Sequence, residues 1–307
     1  MASGVLARPV ATSRGRLGRR FRDNAWGYAF ILPWIIGLLV FTGGPILGAL
    51  GLSFTEWNLM SPAKFAGFAN YQRLVTDGQF GRAMYQTAYF TFASVPIGMA
   101  LSFCLALLVN QKLRGINLFR TIFFLPGITS TVAIALLWGL IYDSQAGLLN
   151  WLLSLLHVPG PNWLGDPHWA MPAIIIMSVW RGLGFDMVIF LAGLQAIPEE
   201  YYEAGRIDGA GRFQLVWRIT LPLISFTTFF ILITSLIGSF RVFDQAYVLT
   251  QGGPAYSTIT LVYYIYQHAF QRFNMGYASA LAYMLFAITF IVTMVQWILQ
   301  KKWVHYD

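Results

Sequence analysis

An all-α integral membrane protein with six transmembrane helices is the fold class the sequence predicts, and three observations predict it. Apolar residues make up 57% of the 307-residue chain and charged residues only 10%, against about 25% in an ordinary soluble domain. With a mean hydropathy of +0.60, too little charge is left to cover a water-soluble surface. The apolar stretches are long and unbroken instead of alternating, which argues for helices and against a membrane barrel. Six of them reach the roughly 20 residues needed to cross about 30 Å of hydrocarbon, and nearly all the basic residues fall between them.

Residues 1–25 carry Arg8, Arg14, Arg16, Arg19, Arg20 and Arg22 with little apolar content and read as a basic tail. The first crossing, about 26–54, is too long for the apolar core of a cleaved signal peptide and has no convincing small-residue cleavage site. Five more crossings follow at about 83–110, 121–142, 169–197, 222–247 and 277–299. Between the third and fourth, 148–156 reads as a short helix ahead of Pro159-Gly160-Pro161. Residues 257–270 are apolar and aromatic but short and interrupted by polar groups, the pattern of a re-entrant or interfacial piece. Residues 300–307 form a second tail.

Basic residues set the orientation. With the amino terminus inside, the six tail arginines share the inner side with Lys112, Arg114, Arg120, Arg206, Arg212, Arg218, Lys301 and Lys302. Only Lys64, Arg73, Arg82 and Arg272 lie outside. Fourteen against four satisfies the positive-inside rule, so both termini are expected in the cytoplasm. Topology therefore accounts for the net charge of +8 and a nucleic-acid partner is not implied. The lone Cys104 excludes an intramolecular disulfide, and His157, His168, His268 and His305 form no zinc spacing. Neither a metal site nor a catalytic constellation is expected.

The connection before the fifth crossing, about 198–221, carries the most information. Pro198 suits a first helical position, with Glu199 and Glu200 against the positive end of the helix dipole. Asp208-Gly209 signals a turn, Gly209 able to take φ > 0 and Asp208 free to cap the next helix. Phe213 and Trp217 then share a face with Ala210 and Gln214 beside it. A helical hairpin with exposed aromatics is a docking surface; an amphipathic loop lying on lipid headgroups would show the same pattern.

This loop resembles that of the permease subunits of binding-protein-dependent ABC importers. Their motif runs Glu-Ala-Ala, three residues, Gly, nine residues, Ile, one residue, Leu-Pro. Glu203, Ala204, Gly209, Ile219, Leu221 and Pro222 stand at those spacings, with Gly205 in place of the second Ala. Leu191 to Pro198 (LAGLQAIP), Val242-Phe-Asp244, Leu249 to Pro254 (LTQGGP) and Gly276 to Ala280 (GYASA) resemble the sugar-uptake branch, which includes maltodextrin, oligosaccharide and glycerol phosphate permeases. The resemblance implies the MetI-like bundle across 26–299, in a bacterial or archaeal cytoplasmic membrane. It also implies a second permease, an external solute-binding protein and an ATPase dimer that binds the ATP and Mg. The chain's own lysines stand in no phosphate-binding loop. On this reading Glu203 is the charged anchor to the ATPase, Ala204 and Gly205 allow close approach and Gly209 sets the bend. Ile219 and Leu221 pin the second helix to the bundle, and Pro222 starts the fifth crossing.

Charges within crossings cost about 2.5–3.5 kcal/mol each on insertion scales, so each needs a reason. Arg181 and Asp186 in the fourth crossing are about 140° apart around a helix, which favours a wet cavity over a mutual pair. Arg241 and Asp244 in the fifth are three apart, and either internal pairing or a place on the solute path accounts for them. Thr227, Thr234, Ser235, Gly238 and Arg241 form a small or polar stripe. Close helix packing suits Gly238, while Thr234 and Ser235 stay open between packing and the path. Trp180, Phe185, Phe240 and Phe243 flank the charges, and aromatic faces suit the apolar C–H faces of sugars. The expected activity is ATP-driven uptake of a sugar or oligosaccharide. A glycerol phosphate or other polyol permease is the nearest alternative, and an ion-driven carrier working alone is a further one.

Overall fold

The computed structural model describes residues 27–111 and 114–304. The arginines of the 1–25 tail, Lys112 and His305 lie outside the described residues. The chain falls into two compact units that divide between Leu52 and Ser53. The first contains most of α1 (Gly27–Ser53), which passes through a π-helical turn at Leu39–Gly43 and carries apolar side chains on all sides.

The second unit opens with a two-residue ladder, β1 (Thr55–Glu56) against β2 (Lys64–Phe65), antiparallel with Thr55 opposite Phe65. After the short α2 (Ala69–Thr76) comes α3 (Gly78–Val109), which begins five residues before the expected crossing because Asp77 caps it. Helices α4 (Ile116–Ile128) and α5 (Thr131–Ile141) follow, then α6 (Leu148–Leu155) and the long α7 (Pro167–Gln195), capped by Asp166. The hairpin α8 (Glu199–Ile207) and α9 (Arg212–Leu223) leads into α10 (Ser225–Phe240). The chain closes with α11 (Asp244–Leu249), α12 (Leu261–Tyr266, running on into a π turn at Gln267–Gln271) and α13 (Met275–Leu299).

Two crossings differ from expectation. The third is broken: α4 and α5 meet at 101°, because Thr129 and Ser130 take extended backbone after Pro126-Gly127. The fifth helix neither begins at Pro222 nor reaches residue 247. Pro222 sits in the last turn of α9, which meets α10 at 68°. Proline has no N–H to offer the Arg218 carbonyl four residues back, and the turns just before it widen into a π-helix over Val216–Thr220. Residues 257–270 hold α12, buried against α2, α3 and α13 around Leu74, Ala83, Tyr264 and Leu281.

Helix α7 is central, with 44% of its most apolar window buried. It runs parallel to α3, which it meets from Phe90 against Met171 and Ile174 to Val109 near Leu194. The Ser102 hydroxyl donates to the Leu183 carbonyl at 3.0 Å between them. Gly184 lets the α4 backbone at Phe123 come so close that any Cβ there would collide with it. Gly193 does the same for Thr227 of α10. The outward faces stay apolar and exposed, as at Phe92, Leu137, Phe286 and Trp297, which suits lipid as the surrounding solvent.

A polar node ties α2, α3, α12 and α13 together at the start of α3. Asp77 Oδ1 accepts the Gln79 and Phe80 N–H groups at 2.9 and 3.3 Å. Its Oδ2 accepts the hydroxyls of Tyr264 at 2.6 Å and Tyr277 at 2.5 Å. Burial pushes the Asp77 carboxyl up, but these four donors outweigh it and hold the group below the usual carboxylate range. The His268 ring lies edge-on to both tyrosines, and the Arg73 guanidinium sits 4.2 Å above the Tyr277 ring. Burial first, then the charges of Arg272 and Arg73 against the weaker pull of Asp77, lower the His268 pKa to about 4.

Candidate functional site: a cavity and the elbow joining its walls

A cavity of about 490 Å³ opens level with the middle of α3 and α7. Its walls come from α3 (Phe90, Ser94, Val95, Gly98), α4 (Gly127), α7 (Ser178 to Asp186), α10 (Thr234 to Ser239) and the start of α11. The space exists because three helices present glycine to it. A Cβ on Gly98, Gly182 or Gly238 would meet nothing within 4 Å. Gly238 is therefore not the close-packing residue the stripe suggested. Packing in that stripe belongs to Thr227, against Gly193.

Of the residues expected on a solute path, Arg181, Phe185, Asp186, Thr234, Ser235, Arg241, Phe243 and Asp244 are brought together here. Two are not. Trp180 turns to an edge-to-face contact with Trp138, ring centroids 5.5 Å apart, and Phe240 is buried with Val95 and Leu236. Internal pairing of Arg241 with Asp244 does not occur. Helix α10 ends at Phe240, Arg241 is its C-cap, and Asp244 begins a separate helix. Among the described residues the ion pairs within 4 Å are His168–Asp166 and Arg206–Glu199.

The charges are held differently. Asp186 meets the Ser235 hydroxyl across from α10. Arg181 Nη2 donates to the Thr129 carbonyl at 3.4 Å, a group freed by the break between α4 and α5. Arg181 Nε and, one turn earlier, Ser178 Oγ are buried in the wall without a partner in the chain. The Thr234 hydroxyl is occupied by the Phe230 and Ile231 carbonyls at 2.9 and 3.1 Å. Phe243 stacks on Tyr247 at 5.3 Å and touches Tyr266 at 5.2 Å, so it leads from the cavity into an aromatic cluster. The polar wall residues missed by sequence reasoning are Ser94 on α3, Ser178 and Ser239, and Gln245. Ser178 stands three residues before Arg181, a helical spacing that could have flagged it.

The elbow α8–α9 joins α7 directly to α10. Helix α8 ends in a Schellman motif: Gly209 at φ +80° donates to the Arg206 carbonyl at 3.0 Å, and Ala210 to the Gly205 carbonyl at 2.9 Å. Asp208 is the C-cap of α8 and does not cap α9. That role falls to Gly211, whose N–H donates to the Gln214 side chain at 2.9 Å. Pro198 likewise stands at the N-cap of α8, one position before the first helical residue. Gly205 faces α9, and a Cβ there would lie 2.7 Å from Leu215 Cδ2 and 2.9 Å from Ile219 Cδ1. Tyr202 and Thr220 hydroxyls meet at 3.1 Å and tie the two helices again. Leu221 is half-buried below them, and Ile224 enters the core with Met187 and Ile231. Glu203 and Ala204 stay exposed on the outer face of α8. Phe213 and Trp217 lie side by side at 5.9 Å, 75% and 58% exposed.

Residues 78–305 match the family model of the binding-protein-dependent transport system inner membrane component. The chain is 37% identical over 291 residues to the "Probable ABC transporter permease protein YesP" of Bacillus subtilis (strain 168), covering 93% of this chain and 94% of that one. It is 37% identical over 280 residues to the trehalose/maltose transport system permease protein MalF of Thermococcus litoralis, covering 90% and 94%. Among solved structures, a bacterial ABC transporter involved in the import of the acidic polysaccharide alginate aligns at a TM-score of 0.82 with 27% identity, over 94% of this chain and 99% of that one. A bacterial alginate ABC transporter in complex with an alginate pentasaccharide-bound periplasmic protein aligns at a TM-score of 0.82 with 26% identity, over 94% of this chain and 98% of that one.

Proposed function

The chain belongs to the inner membrane components of binding-protein-dependent transport systems, the multi-pass permeases of ABC importers, and from that premise we propose how it works. It forms half of the pathway for a sugar or oligosaccharide through a bacterial or archaeal cytoplasmic membrane, and a second permease supplies the other half. An external solute-binding protein delivers the cargo, and a separate ATPase dimer, holding ATP and Mg, drives the cycle. The trehalose/maltose system among the relatives and the alginate system among the structures support a saccharide cargo. The alginate complex supports the binding protein.

One observation carries this reading: the elbow is the direct covalent link between two walls of the cavity. Helix α7 ends at Gln195 and α10 begins at Ser225, so a push on α8–α9 reaches both walls at once. The elbow is stiff in the way a lever must be, closed by the Schellman turn, the Gly205 contact and the Tyr202–Thr220 bond. Glu203 anchors it to the ATPase by charge, Ala204 permits close approach, and Phe213 and Trp217 fill an apolar groove. Within the cavity, hydroxyl and charged groups meet the sugar's hydroxyl rim, and Phe185 and Phe243 meet its C–H faces.

The test is reconstitution of the whole importer in proteoliposomes with a panel of saccharides. Saccharide uptake that requires ATP, the ATPase and the binding protein is expected. Uptake by this chain alone, without ATP, overturns the reading in favour of an ion-driven carrier.

A further inference from the structure

We propose that the aromatic strip running from Phe243 through Tyr247 and Tyr266 to Phe270 is a second saccharide subsite, which receives the units of a sugar chain too long for the cavity. The inference rests on the cavity being the solute path; it adds a binding surface outside that cavity and a selection by chain length. Helical spacing builds the strip from two sides. Phe243 and Tyr247 stand four apart at the start of α11, and Tyr263, Tyr266 and Phe270 stand three and four apart along α12 and its π turn. The two rows meet. Phe243 lines the cavity, and its ring centroid lies 5.3 Å from that of Tyr247 and 5.2 Å from that of Tyr266. Tyr266 in turn lies 5.4 Å from Tyr247 and 5.5 Å from Phe270. The buried Tyr263 backs Phe243, Tyr247 and Tyr266. The far rings are open, Tyr247 at 38% and Phe270 at 61% exposure, and the Tyr266 hydroxyl meets that of Tyr247.

Place and chemistry both favour a saccharide as the occupant. An aromatic belt at the lipid headgroups would ring the outward faces of the bundle. This strip starts in the cavity wall instead, beside Asp244 and Gln245, while Ala246, Val248 and Leu249 of the same helix pack into the core. Hydrocarbon offers a tyrosine hydroxyl no partner. A sugar unit offers a C–H face to the ring and a hydroxyl to its polar tip, and tyrosine is apolar in body and polar at one end. A cavity of about 490 Å³ encloses only a short saccharide, so the remaining units of a longer chain need such a surface beside it.

The experiment uses the complete reconstituted importer and two probes, the disaccharide and the tetrasaccharide of one series that the saccharide panel shows to be carried. The readout is the ratio of their kcat/KM values, tetrasaccharide over disaccharide. Phe270→Leu keeps the apolar bulk that lipid or a neighbouring helix would need and removes the ring. It is expected to lower the ratio by about 2- to 10-fold. Tyr266→Leu should lower it likewise, and Phe270→Tyr, which restores a ring, should recover it. The binding protein is the same in every arm, so a change in the ratio belongs to the strip. A ratio unmoved by both leucine variants, including equal loss of both probes, overturns the proposal and leaves saccharide import standing. The strip is then a packing face for lipid or for the second permease. Wild-type import of the disaccharide without the tetrasaccharide also overturns it. If the importer carries no saccharide, the saccharide reading falls first and this inference with it.

Discussion

Replacing Gly209 with proline removes the conformation on which the turn between α8 and α9 is built. Gly209 has φ +80°, whereas the proline ring holds φ near −65°. The Gly209 N–H bond to Arg206 disappears with the donor, and the Ala210 bond to Gly205 goes with the turn. At about 1 kcal/mol for each bond, with a further 1–2 kcal/mol for backbone distortion, the native elbow loses about 3–4 kcal/mol. Tenfold per 1.4 kcal/mol makes this on the order of a hundredfold fall in its population. The assay is ATP hydrolysed per solute imported in proteoliposomes holding the whole complex. Gly209→Pro is expected to insert and assemble as wild type, to hydrolyse ATP, and to lose at least tenfold in uptake. Gly209→Ala should fall between, because nothing lies within 4 Å of its Cβ and only the left-handed backbone opposes it. Gly211→Ala is the control: its φ is −71°, and it should transport normally. Full transport by Gly209→Pro would refute the idea that the elbow transmits force by being rigid.

Gly205→Ala should stay within about 1 kcal/mol of wild type in thermal unfolding, since the clashing Leu215 and Ile219 methyls are side-chain ends that can yield and alanine favours the helix. Gly205→Phe should wedge α8 from α9 and abolish uptake in the same vesicles. Asp77→Ala leaves two tyrosine hydroxyls and the first turn of α3 without their acceptor. It is expected to cost about 3–5 kcal/mol, read as a lower melting temperature; Asp77→Asn should cost less. His268 is neutral in the fold with its pKa lowered to about 4, below the roughly 6.5 of an unfolded histidine. The unfolded chain therefore binds the extra proton between those values, and stability should fall as pH drops from about 6.5 towards 4. His268→Phe should flatten that part of the melting-temperature profile. The lowered Asp77 carboxyl adds a further loss only below the usual carboxylate pKa.

Much of this was legible because membrane crossings and turns are local. The 29 residues of α7 read as one span from their apolar run, and Gly209 announced its left-handed turn through the Asp-Gly pair. The break at Thr129–Ser130 was not legible. The run from α4 to α5 is predominantly apolar, so Pro126-Gly127 and Thr129-Ser130-Thr131 within it do not end the span by hydropathy. The Thr129 carbonyl freed there is taken up by Arg181, 52 residues away. Arg241 and Asp244 looked like a helical pair because nothing nearby marks the end of α10. Arg241 instead closes that helix, so the two side chains never share its face. Asp77 went unread although Asp followed by Gly and an apolar run is a helix start; its tyrosine partners lie 187 and 200 residues on. Gly205 read as a point of close approach to the ATPase, whereas it faces α9 inside the elbow. Its contact with Leu215 and Ile219 gives it a packing role that only the hairpin's closure makes visible.

The central claim is that α8–α9 is a lever seated on a separate ATPase. A photo-crosslinking amino acid placed at Phe213 or Trp217, each exposed on α9, tests it in native membranes. The account predicts capture of the nucleotide-hydrolysing subunit, lost when Glu203 is changed to Lys. Capture of lipid alone, or labelling of either position by a membrane-impermeant reagent from outside the cell, would contradict it.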